Sequence, residues 1–452
     1  MHESHKLPVV EMPRLELPAS VKGVLKEAES WLESRPGLLR LFRNCYPNTL
    51  ETTTKLCEDG TSFVITGDIP AMWLRDSVEQ VFHYIPLTER DGEMRRIVLG
   101  LIRRQAACVL HDPYANAFNE ESNGHHWDAG DITDIPVSPL VWERKFELDS
   151  LCFFVRLVYA YWRTTRDDGL FDAELVAALR TVSDLFATEQ RHEELSSYRF
   201  SRSNCPPHDT LHHGGRGTPV GWTGMIWSGF RPSDDACDYH YFIPGNMMAV
   251  VALRQLREMA ESRGEPADYL KELARLEEEV NEGIVRYGIV RHPEYGEIYA
   301  FETDGLGNFR LMDDAGTPSL LSIPYFGYAS ADDPIYLNTR AFILSSNNPY
   351  YYEGSAAKGI GSPHTPPDYI WPMALSMQGL TSRSDEELLE MLSVLEATDA
   401  GTGYMHEGFH ASDPSRYTRP WFAWSNSLFA QLVLKAAERG LLADTAKGDR
   451  TT

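Results

Sequence analysis

Apolar residues recur every three to four positions along most of the chain, which is the spacing of one face of an α-helix. Leu151, Val155 and Val158 show this pattern in one segment, and similar stripes recur from end to end. The pattern predicts ten or more helices, separated by loops rich in glycine, proline and aromatic residues. The predicted helices cover residues 20–32, 76–85, 93–110, 146–162, 171–187, 246–259, 267–285, 368–377, 386–395 and 424–437.

Polar residues mark two of the predicted helix starts. Ser20 is the expected N-cap of the first helix, because a hydroxyl there can accept a hydrogen bond from a free backbone N–H group. Asp76 and Glu79 have the spacing of a capping box at the start of the second helix. Asp76 is therefore a helix cap, a ligand-binding residue, or both.

The strand signal is weak and local. Residues 63–66, 289–292 and 297–301 are short apolar runs bounded by glycine, and they predict hairpins that decorate a helical body. An open array of so many helices would leave apolar ends exposed. We therefore expect a closed ring of inner and outer helices, with a solenoid as the alternative architecture.

The chain shows no proline-rich or serine-rich linker and no break in composition, which favours one large helical domain. We expect an N-terminal extension with the first helix at residues 1–40, a single domain at residues 41–440, and a C-terminal tail at residues 441–452.

The charge balance narrows the list of partners. The 452 residues carry 42 Lys plus Arg and 66 Asp plus Glu, which gives a net charge of −24. This balance excludes nucleic acids and anionic membrane surfaces, which both require basic clusters. The N-terminus lacks the apolar core of a signal peptide, and the six cysteines lack a CxxC spacing and are expected to be buried thiols. We expect a cytoplasmic protein, with secretion left open, that is a monomer or a weak homo-oligomer.

Tryptophan has an unusual distribution. Seven of the ten tryptophans lie in loop-like stretches beside carboxylates, arginine or histidine, rather than inside helical stripes. Flat apolar faces combined with hydrogen-bonding side chains suit a sugar, whose C–H faces stack on rings and whose hydroxyls need donors and acceptors. The seven residues are Trp73, Trp127, Trp142, Trp222, Trp227, Trp371 and Trp421.

Two loop patches near the N-terminus carry candidate sugar-binding residues. The first, at residues 67–77, contains candidates that could bind vicinal hydroxyls: Asp68, Trp73, Arg75 and Asp76. The second, at residues 142–149, precedes an apolar stripe and contains candidates for a pocket wall: Trp142, Glu143 and Lys145. For Glu147, in the same patch, we favour an ordinary solvated first turn of a helix.

Two further patches carry candidate catalytic carboxylates. Asp234 and Asp235 are adjacent and follow Arg231 and a Pro-Ser turn, so different surroundings could keep one protonated and the other ionised. The alternative is an N-cap doublet in an exposed turn. In the last patch, Glu407 lies in a glycine-rich loop before Trp421 and is interpreted as a base that faces a pocket.

The last patch also contains a string that matches a zinc motif. His406, Glu407 and His410 satisfy H-E-x-x-H, in which two histidines one helical turn apart bind zinc. The motif requires a helix, whereas Gly403 and Gly408 loosen this segment and no third ligand is evident. A zinc site is therefore an alternative and not the favoured interpretation.

Several stretches together resemble glycoside hydrolase family 125, the exo-acting α-1,6-mannosidases. The resemblance extends from about residue 41 to residue 434 and is carried by residues 44–49, 63–77, 141–145, 229–236, 405–407 and 421–422. It implies an (α/α)6 barrel, hydrolysis with inversion and without a metal or other cofactor, and a pocket for one terminal mannose of an oligosaccharide. The sequence departs from the family pattern at His410, where a small polar residue would be usual.

The resemblance also implies roles for individual residues. Asp234, or alternatively Asp235, corresponds to the general acid and Glu407 to the general base. In an inverting enzyme two such carboxyl groups lie roughly 6.5 to 9.5 Å apart. The complete set of expected substrate-binding residues is Asp68, Trp73, Arg75, Asp76, Trp142, Glu143, Lys145, Arg231, Asp235, Asn348, His364 and Trp421. The alternatives are the zinc hydrolase, a related helical-barrel α-glucosidase, and a carbohydrate-binding toroid without activity.

Overall fold

The computed structural model describes residues 14–442, and within this range the chain forms fifteen α-helices and seventeen short strands. The helices are α1 (Ala19–Trp31), α2 (Pro36–Cys45), α3 (Leu74–Phe82), α4 (Gly92–His111), α5 (Leu148–Thr165), α6 (Ala173–Glu189), α7 (His192–Leu195), α8 (His212–Gly215), α9 (Ile243–Ser262), α10 (Ala267–Gly283), α11 (Ile323–Phe326), α12 (Pro334–Ile343), α13 (Pro372–Leu380), α14 (Asp385–Ala397) and α15 (Ala423–Glu438).

The strands are two to six residues long, and every pairing between them is antiparallel. They are β1 (Thr54–Leu56), β2 (Ser62–Val64), β3 (Met72–Trp73), β4 (Ala117–Phe118), β5 (Ile132–Thr133), β6 (Val141–Glu143), β7 (Phe200–Ser201), β8 (Tyr241–Phe242), β9 (Ile289–His292), β10 (Gly296–Tyr299), β11 (Glu302–Thr303), β12 (Phe309–Arg310), β13 (Tyr351–Glu353), β14 (Lys358–Ile360), β15 (Tyr369–Ile370), β16 (Gly408–His410) and β17 (Asp413–Thr418).

The helices form the expected (α/α)6 barrel. The inner ring consists of α3, α5, α9, α11, α13 and α15, and α15 closes it by packing against α3. The outer ring consists of α2, α4, α6, α10, α12 and α14, each of which precedes its inner partner in the chain. The inner and outer helices differ in burial, since eight of nine residues are buried in α3 of the inner ring but only four of seventeen in α10 of the outer ring. The inner helices are therefore enclosed on nearly all sides, whereas the outer ones bury one stripe.

The short sheets lie at one end of this barrel. Strands β3, β8 and β15 lead into the N-termini of α3, α9 and α13, and β16 and β17 precede α15. Three three-stranded sheets, β3–β4–β6, β8–β11–β12 and β15–β16–β17, thereby surround the mouth of the ring. This end of the barrel carries the loops that were rich in tryptophan and carboxylates.

The opposite end of the barrel is filled by side chains. Tyr325 from α11 donates a hydrogen bond to Glu79 Oε2 of α3 (2.9 Å) and contacts Gln431 Oε1 of α15 (2.8 Å). The Arg156 guanidinium of α5 lies 3.8 Å from the centroid of the Phe82 ring and pairs with Glu79. We call these five residues the basal plug, because they join four inner helices across the axis.

Several local predictions need correction. Helix α1 begins at Ala19, with Pro18 at the N-cap position, so Ser20 lies inside the helix and is not its cap. Helix α3 begins at Leu74, so Asp76 lies in its first turn and forms no capping bond. Residues 368–371 are not helical, because β15 pairs with β16 before α13 begins. Five helices were not predicted: α2 and α12, with ten residues each, and the four-residue α7, α8 and α11.

The hairpin predictions at 63–66, 289–292 and 297–301 correspond to β2, β9 and β10, and β9 pairs with β10. All six cysteines are free, with four buried and two, Cys57 and Cys205, half-buried. Among residues 14–442 no helix is long and apolar enough to span a bilayer. The division at residues 1–40, 41–440 and 441–452 stays a prediction, and its outermost parts, residues 1–13 and 443–452, lie outside the described residues.

Candidate active site

Arg75 is the centre of a buried charge cluster at the mouth of the barrel. Its side chain is 2% exposed, and Nη1 donates to Glu147 Oε2 at 2.6 Å and to Asp149 Oδ2 at 3.2 Å. Nη2 donates to Asp234 Oδ1 at 3.1 Å, and Nε lies 3.5 Å from Asp76 Oδ2. One guanidinium therefore holds four carboxyl groups, which we call the Arg75 cluster.

The surroundings give the four carboxyl groups different proton affinities. Burial raises the pKa of both Asp76 and Asp149 to about 6, although the Arg75 charge opposes the shift. Burial also raises the pKa of Glu147 well above its usual range. For Asp234 burial acts in the same direction, but Arg75 and a hydrogen bond with Glu147 outweigh it and lower the pKa to about 2. Glu147 is thus buried and not a solvated helix turn, which corrects our interpretation of that residue.

Asp234 and Asp235 point into different surroundings. Asp234 has a φ of 65°, a left-handed conformation that is costly for a residue with a side chain, and Lys145 Nζ donates to its carbonyl at 2.8 Å. Asp235 is buried, and its Oδ1 lies 3.1 Å from Nδ1 of His364. Its Oδ2 is buried without a hydrogen-bond partner in the described residues. The pair is therefore a strained turn inside the site and not an exposed N-cap doublet.

His364 connects the acid candidates with Glu407. Burial opposes a charged ring, yet the hydrogen bond and charge of Asp235, together with the charges of Glu407 and Asp234, raise the pKa of His364 to about 10. The His364 ring also faces that of Trp371, with the centroids 6.4 Å apart, and Trp371 lies beneath Gly408, the neighbour of Glu407. The structure thereby gathers residues from three distant loops at one point of the mouth.

Glu407 is held by an arginine that the sequence did not single out. Arg419 Nη1 lies 3.4 Å from Glu407 Oε1, and Nη2 pairs with Asp68 Oδ1. Next to Asp68, the Cα of Gly67 lies so close to Trp421 that an added Cβ would come within 3.1 Å of the ring, and its φ of 118° also favours glycine. Asp68, Glu407 and Trp421 therefore form one wall of the mouth.

The opposite wall contains Glu143 and Lys145. Lys145 Nζ donates to Asp209 Oδ1 at 2.5 Å, and Arg202 donates to Glu143 Oε1 at 2.8 Å. Arg202 also forms a bidentate pair with Asp131, with both N–O distances at 2.7 Å. This network fixes the wall, and its members Arg202, Asp209 and Asp131 were missed because they lie outside the four sequence patches.

The tryptophans separate into different groups. Trp73 and Trp142 pack in a small cluster with Ala71 and Ala117, and the indole N–H groups of both are buried without a hydrogen-bond partner among residues 14–442. Trp227 is a core residue that stacks between His192 and His240. Among the others, Trp127 and Trp222 are exposed, Trp371 lies beneath Gly408, and Trp424, which was placed in a helix, stacks on Arg75.

Two candidates lie apart from the carboxylates. Asn348 is buried, and its amide bonds the backbone of Asp313, Tyr350 and Ile343. Arg231 is buried against Glu302, with Nε at 2.6 Å from Oε1, and reaches Asp235 only through its backbone N–H. The structure therefore does not bring either side chain to the Arg75 cluster or to Glu407.

The zinc-like string does not have the geometry of the zinc motif. Gly408–His410 is strand β16, so His406 and His410 are not one helical turn apart. The His406 ring stacks on Tyr417 at 4.0 Å, and its Nδ1 bonds the Pro420 carbonyl at 2.9 Å. Within the described range no group of three or more His, Cys, Asp or Glu side chains is arranged to hold a metal ion.

Comparison with known proteins assigns the family. The profile of the family described as metal-independent α-mannosidase (GH125) matches residues 35–434. The meiotically up-regulated gene 157 protein of Schizosaccharomyces pombe is 41% identical over 439 residues, which is 93% of this chain and 86% of the relative.

A solved structure supports the same assignment. A metal-independent α-mannosidase of Streptococcus pneumoniae, in a non-productive complex with α-1,6-mannobiose, is 45% identical and superimposes with a TM-score of 0.90 over 93% of this chain and 99% of that one. A GH78 rhamnosidase of Bacillus sp. GL1, at 14% identity and a TM-score of 0.53 over 89% of this chain and 35% of that one, shares the fold alone. The chain therefore belongs to glycoside hydrolase family 125, the metal-independent α-mannosidases.

Proposed function

We propose that this protein is an exo-acting, inverting α-1,6-mannosidase that releases terminal non-reducing mannose from α-mannosides, mannan or N-glycan fragments. The observation that carries the proposal is that Asp234, Asp235 and Glu407 lie at one mouth of the barrel in a family member, each held by a basic side chain: Arg75, His364 and Arg419, respectively. The Streptococcus pneumoniae relative, with its bound α-1,6-mannobiose, supports this linkage. The basal plug leaves the mouth as the entrance for substrate, and exo action is the part of the proposal that rests on the resemblance to the exo-acting family.

The proposed reaction is a single displacement. Asp234, as a carboxylic acid, protonates the glycosidic oxygen while the bond from C1 to that oxygen breaks. Glu407 removes a proton from a water molecule that attacks C1 from the opposite face of the ring. The products are β-mannose and the alcohol of the leaving group, and Glu407 then releases its proton to solvent.

The geometry favours Asp234 over Asp235 as the acid. The Asp235 side chain is only 2% exposed, and its Oδ1 is held by Nδ1 of His364 at 3.1 Å. Asp234 is instead 29% exposed toward the mouth, and Arg75 holds it together with a second carboxyl group, Glu147. Asp235 remains the alternative acid, and a comparison of Asp234→Asn with Asp235→Asn separates the two.

Sugar recognition is assigned to the unpartnered polar atoms around the mouth. Asp76 Oδ2 and Asp235 Oδ2 can accept hydrogen bonds from sugar hydroxyls, and the indole N–H groups of Trp73 and Trp142 can donate them. Asp68 completes the acceptor set from the opposite wall. Lys145, Glu143 and Arg75 then hold these groups in place and do not need to touch the sugar.

The direct test follows the hydrolysis of α-1,6-mannobiose by proton NMR. We expect β-mannose as the first product, followed by slow mutarotation to the equilibrium mixture. Early appearance of α-mannose would eliminate inversion and, with it, the assignment of Glu407 as a base.

Three expectations from the sequence stay predictions in addition to the domain division. They are a cytoplasmic location, a monomeric or weakly associating state, and the absence of nucleic acid or membrane partners.

A further inference from the structure

The Arg75 cluster contains more acidic groups than its positive charge can balance. Arg75 faces Asp76, Glu147, Asp149 and Asp234, and three of these four carboxyl side chains are at most 7% exposed. Four ionised carboxylates around one buried guanidinium would leave three charges that Arg75 does not balance in a region of low dielectric constant. Lys145 and His364 also act on Asp234, and Arg419 acts on Asp76, but each of these cations is bound to another carboxylate: Asp209, Asp235 and Glu407, respectively. The fully ionised arrangement is far more costly than binding a proton. At least one proton therefore resides in the cluster at neutral pH.

Lys145 does not change this balance. Its ammonium group pairs with Asp209 and lies 3.7 Å from Glu143, and it bonds Asp234 only through the backbone carbonyl. Glu143 in turn pairs with Arg202. The second wall is therefore neutralised within itself and supplies no spare cation to the Arg75 cluster.

Glu147 is held in one position beside Asp234. Arg75 Nη1 and Ser150 Oγ donate to Glu147 Oε2 at 2.6 and 3.0 Å, and Asn116 Nδ2 lies 3.3 Å from Oε1. The two Nη atoms of Arg75 hold this carboxyl group and that of Asp234, at 2.6 and 3.1 Å, so the two carboxyl groups lie at the same guanidinium edge. Among the four members of the cluster, Glu147 is fully buried and Asp234 faces the mouth.

We propose that Glu147 and Asp234 share one proton and that Glu147 is the positioning residue that supplies this proton to the general acid, Asp234. This inference rests on the proposed role of Asp234. In the substrate-free protein the proton is held on Glu147, and Asp234 accepts it. When substrate binds, the proton moves to Asp234, and the Glu147 carboxylate that forms is stabilised by Arg75, Ser150 and Asn116.

The proton count is the same as in the single displacement. Asp234 gives the shared proton to the glycosidic oxygen as the bond to C1 breaks, so both members of the pair are then ionised. Glu407 has meanwhile taken one proton from water. Solvent then returns one proton to the pair of Glu147 and Asp234, and Glu407 releases one proton to solvent. The complete cycle therefore consumes only water. The high pKa of Glu147 and the low pKa of Asp234 agree with one proton that titrates from the pair as a unit.

The test compares Glu147→Gln with the wild-type enzyme on two substrates. A glutamine keeps the size of the side chain but cannot pass a proton to Asp234. With α-1,6-mannobiose, which needs an acid, we expect kcat/KM at pH 7 to fall by about 100-fold and the alkaline limb of its pH profile to move to lower pH. With α-mannosyl fluoride, whose leaving group needs no proton, kcat/KM should stay within about threefold.

Glu79→Gln is the matched control, since Glu79 is also a buried glutamate beside an arginine, with a pKa raised by burial, but lies in the basal plug. Glu79→Gln should not shift the pH profile of kcat/KM for either substrate. Equal losses of Glu147→Gln on both substrates, or an unmoved alkaline limb, would overturn the proposal. Asp234→Asn tests the underlying assignment separately, because it should lose turnover of mannobiose and keep that of the fluoride. If Asp234→Asn keeps turnover of mannobiose, both proposals fail.

A second measurement does not depend on the folding of Glu147→Gln. In Glu79→Gln with 13C-labelled glutamate, infrared spectroscopy at pH 7 should show the carbonyl band of a protonated glutamic acid. The band should disappear over the same pH range as activity on mannobiose. Absence of such a band at pH 7 would also overturn the proposal.

Discussion

The Nδ1 atom of His364 lies 3.1 Å from Oδ1 of Asp235, so the two side chains form an ion pair between two loops of the mouth. Because Asp235, together with Glu407 and Asp234, raises the pKa of His364, the ring stays charged well above pH 6.5. NMR titration of the ring should show this, and Asp235→Asn should lower the pKa. The exposed Asp332→Asn, next to Arg383, should leave it unchanged.

The same ion pair has a defined effect on stability. A pKa that is raised on folding stabilises the native state fully below about pH 6.5, and this contribution is lost as the pH rises through about 10. His364 is 40% exposed, so solvent screens the pair and the gain is small. Urea unfolding of His364→Gln and wild type at pH 6 and pH 10 should give a difference that shrinks with pH, and a constant difference would contradict this.

Replacement of Glu407 by Gln removes the proposed base while keeping the size of the side chain. We expect kcat for α-1,6-mannobiose to fall by about 100- to 10,000-fold, because a neutral amide cannot accept the proton of the attacking water. The exposed Glu278→Gln on α10 is the control and should retain wild-type turnover. Near-normal turnover of Glu407→Gln would remove this residue from the mechanism.

Arg419 is expected to position two groups at once. Arg419→Ala frees both Glu407 and Asp68, and it should raise KM and lower kcat together by about tenfold or more each, because misplacement of catalytic groups by about 1 Å can cost about 100-fold. Arg419→Lys should recover part of KM by restoring a charge near Asp68. An unchanged KM in Arg419→Ala would show that Asp68 does not bind substrate.

Tyr325→Phe tests the basal plug. The substitution removes a hydroxyl that contacts both Glu79 and Gln431, so we expect a loss of about 1–3 kcal/mol in the free energy of unfolding. Because the plug is remote from the mouth, kcat/KM at 25 °C should stay unchanged. Urea denaturation followed by far-UV circular dichroism provides the first quantity and mannobiose kinetics the second.

The zinc alternative makes a different prediction. If His406 and His410 held a catalytic metal, His410→Ala and treatment with EDTA would both abolish turnover. We expect neither the substitution nor EDTA to change kcat/KM by more than about threefold. The zinc motif requires a helix, whereas residues 408–410 form strand β16. A metal content close to one per chain by elemental analysis, lost together with activity, would contradict this expectation.

The main helices were predicted from apolar periodicity, a closed ring from the cost of exposed apolar ends, and the (α/α)6 barrel from the family resemblance. Helices α2 and α12 were missed, and both are ten residues long and begin with a proline, Pro36 and Pro334, that was read as part of a loop. The sequence also predicted that several site carboxylates lie in loops or first helical turns, namely Asp68, Asp76, Asp234 and Asp235.

The contacts between the patches could not be predicted in this way. Glu147 has the sequence of a solvated helix turn, and its burial depends on Arg75, which is 72 residues away. Arg419 lies 351 residues from Asp68 and was not marked by any local motif. For Asn348 the sequence could not distinguish an amide that binds a ligand from one that bonds the backbone, and in the structure its amide bonds backbone groups.

The basal plug also determines the order in which molecules can leave. With Tyr325, Glu79 and Gln431 joined across the axis, the freed mannose and its former partner sugar must depart by the opening through which the substrate entered. In the proposed exo reaction the terminal mannose lies deeper than the leaving group, so the leaving group has to diffuse away first. Free mannose should then compete with substrate for the empty enzyme. Substrate and both products would pass through the same opening, the mouth of the barrel.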